Sequence, residues 1–132
     1  MILPLLDDGN ILLIRQFRLA TGGFLWELPA GTLARGETAL ETARRELAEE
    51  TGYRAASWRK LAQFYPSPGF VDETMTIYLA RKMRPGPPRP EEDERIVAQP
   101  FAMKELLRLV RAGRIRDGKT LVGLLYFHCL TR

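Results

Sequence analysis

Cysteine and histidine are nearly missing from this 132-residue chain, which has one of each, Cys129 and His128. A lone cysteine can form neither an intramolecular disulfide nor a cysteine-based zinc site. It suits a reducing compartment, so a cytoplasmic protein is expected. Cys129 stands in the apolar run 124–130, which predicts a small core side chain. His128, in the same run, reads as a structural histidine and not a catalytic one. No apolar run approaches the length of a membrane span, and the start MILPLLDDGN lacks the basic region of a signal peptide. Repeats and low-complexity tracts are also lacking. Basic residues are in excess (net +4), yet they are scattered and not gathered in a stripe with interleaved aromatics. That argues against a nucleic acid as partner and leaves a small anion.

What is present describes an ordinary globular chain. An apolar fraction of 45 % and a charged fraction of 27 % are enough for one core, so one domain over 1–132 is expected. Segments 1–6 and 11–17 read as strands joined as a hairpin by the turn Asp7-Asp8-Gly9-Asn10. Further strands are expected over 24–28, 58–65, 73–83 and 95–101, and helices over 38–52, 102–112 and 117–130. The proline-rich stretch 85–90 cannot join a sheet ladder and reads as a loop, continued by the acidic residues 91–94. Strands with interspersed helices make an α/β (α+β) sandwich.

The first helix carries the chemistry. Thr38 with Glu41 three residues later predicts a capping box, and Gly52 a helix stop. Leu40, Ala43 and Leu47 make one apolar stripe, while Glu46, Glu49 and Glu50 gather away from it. Like charges one turn apart, close to a helix C-terminus, cost a few tenths of a kcal/mol each. A hard divalent cation would offset that cost, and Mg2+ takes one or two carboxylates plus water and phosphate oxygens. Arg45, four residues before Glu49, can hold that carboxylate in place. A solvated acidic face would show the same pattern, and the helix alone does not separate the two readings.

The wider segment does. Gly31, Glu37, Arg45, Glu46, Glu49, Glu50 and Gly52 stand at the spacing G-x5-E-x7-R-E-U-x-E-E-x-G-U, with U a bulky apolar residue, here closed by Tyr53. At ordinary residue frequencies that coincidence is expected about once in a hundred million windows. The chain resembles the Nudix hydrolases, whose fold places a mixed sheet between helices and which cut a diphosphate linked to another moiety. The resemblance implies metal ligation by Glu46, Glu50, Glu49 and the Ala30 carbonyl, and Mg2+ as the cofactor with Mn2+ as its alternative. It gives Gly31, Glu37 and Gly52 structural roles, with Gly31 letting the backbone turn its carbonyl toward the metal.

The flanks are more discriminating. Trp26-Glu27-Leu28-Pro29-Ala30-Gly31 and Phe64-Tyr65-Pro66-Ser67-Pro68-Gly69-Phe70, with Pro68 fifteen residues beyond Tyr53, are similar to the ADP-ribose pyrophosphatase branch. That resemblance implies hydrolysis of ADP-ribose to AMP and ribose 5-phosphate. The alternatives are GDP-mannose or another nucleotide sugar, a non-catalytic nucleotide-sugar sensor, and a triphosphatase for damaged nucleotides. It implies a glutamate base on a loop well after the box, which points to Glu94, then Glu92, with Glu49 as the rival. Arg15 and Arg18 are candidate phosphate clamps, Glu27 and Pro68 further substrate contacts, and Phe70 and Glu73 the terminal-ribose side. Relatives of the branch carry an N-terminal subdomain that swaps between subunits and contacts adenine. Here it is expected to be absent, which leaves a homodimer open.

Overall fold

A computed structural model of the chain describes residues 1–89, 91–92 and 96–131. Among the described residues, six strands and three longer helices follow in the order β1 (Ile2–Pro4), β2 (Ile11–Arg18), β3 (Gly23–Glu27), α1 (Ala39–Thr51), β4 (Arg54–Phe64), β5 (Met75–Arg84), β6 (Ile96–Phe101), α2 (Met103–Arg111) and α3 (Gly118–Leu130). They build a mixed three-stranded sheet, β1-β5-β4, and an antiparallel one, β3-β2-β6.

The first hairpin is a correction to the sequence reading. Its turn forms, with the Leu6 N–H bonded to the Asn10 carbonyl at 2.8 Å and only one bridge, Leu5 to Ile11, beyond it. The strand before the turn then leaves for the other sheet, where Ile2–Pro4 run parallel to Tyr78–Ala80. The reason is burial. Ile2 and Leu3 are both fully covered, and opposite faces of a strand can both be covered only inside a sheet packed on two sides. Strand β4 starts earlier than expected, at Arg54, because its small residues Ala55 and Ser57 pair along β5 opposite Met83 and Arg81.

The mixed sheet lies between helices. Alternation along β5 sends Ile77 and Leu79 into the larger core with Leu106 and Leu124, from α2 and α3. Ala80 faces the other way, into a smaller core with Ile2, Met83 and the α1 residues Ala43 and Leu47. Contact with α3 is close: a Cβ on Gly123 would stand 2.7 Å from the Leu28 side chain. Cys129 is exposed, against expectation. At about 100° per residue it lies roughly 140° around α3 from the buried Leu124, off the stripe that packs. Among the described residues, no helix is long and apolar enough to cross a membrane.

Candidate active site

Helix α1 presents its carboxylates because both of its ends are fixed. At the start, Thr38 accepts from the Glu41 N–H at 3.2 Å while Glu41 accepts from the Thr38 N–H at 2.7 Å. At the end, Gly52 adopts φ 77° and donates its N–H to the Ala48 carbonyl at 2.9 Å.

Arg45 is the hub between them. Its Nε and Nη2 fork onto Glu37 at 2.8 and 3.1 Å, and its Nη1 is shared by Glu46 at 2.8 Å and Glu49 at 3.0 Å. One guanidinium thus orients three carboxylates, with planar bidentate geometry toward Glu37. Glu37 also accepts from the Thr42 hydroxyl at 2.7 Å and the Ala34 N–H at 3.1 Å. Glu37 therefore ties the loop before the helix to Arg45. The Arg45 bonds, then that of Thr42, hold its carboxyl at about 2, against an ordinary 4.5.

A folded-state value below the unfolded one means the tether contributes fully above pH 4.5 and is lost as pH falls toward 2. Thermal midpoints followed by circular dichroism should therefore fall more steeply across that window in wild type than in Glu37→Gln. Parallel curves would show that the tether does not contribute.

Glu46 and Glu50 converge on the Ala30-Gly31 turn. Glu50 is 4 % exposed and accepts from the Ala30 N–H at 3.1 Å. The Glu46 carboxyl lies against Gly31, in the space that a Cβ there would fill. Gly31 is thus required by close approach to Glu46; its φ is not among the positive values of the glycines. The turn walls a cavity of about 410 Å3, whose lining also includes Arg18, Glu73 and Lys119.

Among the described residues, no three His, Cys, Asp or Glu side chains converge as a metal-holding group. The pair fits a divalent cation nonetheless. Two carboxylates beside a backbone turn are an all-oxygen donor set of the size Mg2+ or Mn2+ takes, with water and phosphate completing the shell. The missing Cβ of Gly31 leaves the room in which the Glu46 carboxyl sits.

The other expected site residues are dispersed. Glu49, with Arg45, opens onto a second cavity lined also by Arg54 and Arg89. Glu27 is 3 % exposed and takes a two-pronged bond from Arg18, at 2.9 and 2.7 Å, which raises the Arg18 pKa. Arg18 therefore reaches the first cavity already paired. Arg15 is exposed and stacks over the Phe24 ring at 4.2 Å, outside that cavity. Pro68 and Phe70 lie on the loop after β4 and line one groove together with Tyr65; Phe70 also lines a second groove beside the cavity. Glu92 is exposed in the turn after the proline-rich stretch, and Glu94 lies outside the described residues.

Lys119 and Thr120 were not anticipated from sequence. The buried Thr120 hydroxyl accepts from the Leu28 N–H at 2.9 Å and donates to Asp117 at 2.7 Å. This pins the start of α3, and with it Lys119, beside the Ala30-Gly31 turn. No spacing rule reaches across the 92 residues that separate Leu28 from Thr120.

A carboxylate-bearing helix, capped at both ends, faces a glycine turn in a mixed-sheet sandwich, an arrangement that suits metal-assisted phosphate chemistry. Residues 1–121 match the NUDIX domain, and the chain belongs to that family. It is 37 % identical over 127 residues to a Bacillus subtilis (strain 168) protein named ADP-ribose pyrophosphatase, covering 95 % of this chain and 69 % of the relative. It is 38 % identical over 131 residues to a GDP-mannose pyrophosphatase of Citrobacter koseri, covering 92 % and 68 %. A solved structure described as an ADP compounds hydrolase superposes with a TM-score of 0.87 at 24 % identity, over 97 % of this chain and 69 % of that one. The chain thus spans about two thirds of the length of each.

Proposed function

We propose that the protein is a cytoplasmic, divalent-cation-dependent pyrophosphohydrolase that cuts ADP-ribose to AMP and ribose 5-phosphate. The observation that carries this reading is the convergence of Glu46 and Glu50 on the Ala30-Gly31 turn, which with Glu46, Arg18 and Lys119 lines one cavity. The name of the Bacillus relative supports the choice of substrate.

In this reading Glu46, Glu50 and the Ala30 carbonyl would hold the cation, Mg2+. Bound there, such an ion would neutralise diphosphate charge and lower the pKa of a water. Arg45 keeps Glu46 and Glu49 in their orientations. Lys119 and the paired Arg18 offer positive charge to the phosphate oxygens as negative charge builds on them. Water adds its oxygen to one phosphorus, the bond from that phosphorus to the bridging oxygen breaks, and the bridging oxygen leaves on the other phosphate. The proton goes to a carboxylate: Glu94, then Glu92, which stand between β5 and β6 in the sequence, or Glu49.

The test is a product assay by chromatography on ADP-ribose, GDP-mannose and dNTPs with Mg2+. AMP from ADP-ribose as the fastest product is the expected result, abolished by EDTA and restored by added Mg2+. Faster turnover of GDP-mannose, pyrophosphate from dNTPs, or turnover that ignores EDTA would each overturn part of the proposal. No turnover at all would leave a binding protein.

A further inference from the structure

We propose that the β4–β5 ribbon, at the end where β4 starts and β5 stops, binds the phosphate backbone of nucleic acid without reading its sequence. This surface is independent of the reaction proposed above.

Seven of the chain's 20 lysines and arginines fall in the stretches 54–60 and 81–89, and none of its 16 aspartates and glutamates does. In the sequence these cations form two separate groups. The fold gathers them, because Arg54 pairs directly with Arg84, Ser57 with Arg81 and Arg59 with Leu79. Arg54, Arg59 and Lys60 on β4 and Arg81, Lys82 and Arg84 on β5 are all exposed. Among the described residues, none of the six is in an ion pair. Arg89 adjoins them, since it lines one cavity with Arg54 and donates its N–H to the Glu49 carbonyl at 2.9 Å. The basic surface therefore runs up to the end of α1.

Two features of the ribbon cost stability. Like charges directly opposite each other on paired strands repel, as Arg54 and Arg84 do. Lys82 has φ 55°, the one positive value outside glycine among the described residues. Its left-handed backbone accounts for what is exposed. Ala80 and Met83 would lie on opposite faces of a regular strand, yet both reach the smaller core. Arg81 and Lys82, between them, both stand in solvent. Charge on an edge strand guards against aggregation, which accounts for the cations of β4. Strand β5 is the central strand of its sheet, so its three cations need another reason. A bound polyanion offsets both costs.

The side chains select phosphate. Five of the seven are arginines, whose planar fork fits phosphate oxygens in pairs. Among the described residues, no large hydrophobic side chain is exposed in either stretch, so the surface lacks the apolar anchor of a protein interface or of membrane insertion. It equally lacks an exposed aromatic ring on which a base could stack. Contact with the nucleic-acid backbone is what is left, and it carries no sequence information. The chain's other basic stretch, 104–119, differs in having Glu105 and Asp117 among its cations.

The test is fluorescence anisotropy of a labelled DNA duplex of about 20 base pairs, at about 50 and 200 mM KCl. Wild type is compared with Arg81→Ala/Arg84→Ala and with the control pair Arg108→Ala/Arg111→Ala on α2. Wild type is expected to bind and to lose affinity roughly 200-fold between the two salts, as about four phosphate contacts require. The β5 pair should shrink that loss to roughly twentyfold, and the α2 pair should leave it unchanged. Circular dichroism checks folding. If the β5 pair unfolds, Arg54→Ala/Arg59→Ala removes two cations of the same surface from the other strand and makes the same test. No duplex binding at the lower salt, or equal effects of the β5 and α2 pairs, would overturn the proposal. Binding to phosphatidylserine vesicles without binding to the duplex would assign the surface to a membrane and overturn it too. Hydrolysis of ADP-ribose should be the same in the β5 pair as in wild type, because neither arginine lines the cavity with Glu46. Loss of duplex binding and loss of turnover are thus read separately.

Discussion

Glu50→Gln is expected to fold normally and to hydrolyse ADP-ribose about 100- to 1,000-fold more slowly than wild type with Mg2+ present. The amide oxygen can still accept from the Ala30 N–H, which bonds Glu50 at 3.1 Å, so the contact between helix and turn survives. What is lost is one negative charge at a residue only 4 % exposed, in a site proposed to hold a dication. A bound cation contributes several kcal/mol to transition-state charge stabilisation, and about 1.4 kcal/mol is a factor of ten in rate. The measurement is kcat/KM for ADP-ribose together with the thermal midpoint. Activity within about threefold of wild type, in a folded variant, would remove Glu50 from the metal site. If the variant unfolds, Glu46→Gln makes the same test, because the Glu46 side chain is 14 % exposed and its loss leaves the Ala30 bond untouched.

The parts of this site that were legible in the sequence are those fixed within a few residues. The capping box of Thr38 and Glu41 spans three residues, and the Arg45–Glu49 pair one helical turn. Both follow from the 3.6-residue repeat and need no knowledge of the rest of the chain. The fork of Arg45 onto Glu37 spans eight residues and crosses a loop, so only the family spacing hinted at it. Three things were out of reach. Strand β1 has only three residues, and its choice of β5 over β2 depends on which faces the helices cover. Thr120 and Lys119 reach the site because α3 packs against Leu28, which is a property of the assembled core. The periodicity of α3 is blurred because its apolar residues run nearly all the way around, which is how Cys129 came to be expected inside.

Gly31 and Gly52 both occupy box positions, yet the structure needs them for different reasons, and the second leads to a stability prediction. Gly52 combines a positive φ of 77° with contact: a Cβ there would collide with the Gly86 carbonyl and stand 2.8 Å from the Pro88 nitrogen. Gly36 has a similar φ of 84° with nothing within 4 Å of such a Cβ. Comparing the two alanine variants therefore separates backbone strain from collision. Gly36→Ala is expected to cost about 1 kcal/mol, the cost of a left-handed conformation alone. Gly52→Ala adds a clash with backbone atoms, which cannot swing aside as a side chain can. It should cost about 3 kcal/mol or more and lower the thermal midpoint by roughly 10 °C. The damage should also reach the chemistry. The stretch that Gly52 supports is bonded back to α1 through the Arg89 N–H and the Glu49 carbonyl at 2.9 Å, and Glu92 lies three residues further on. Displacing it disturbs the Glu49 end of the helix and the loop from which a base is proposed to act. Activity measured well below the lowered midpoint should therefore fall in Gly52→Ala and stay near wild type in Gly36→Ala. Equal midpoints for the two variants would mean that the 85–89 segment yields to the added methyl group, and that its seat on the helix is not a fixed part of the site.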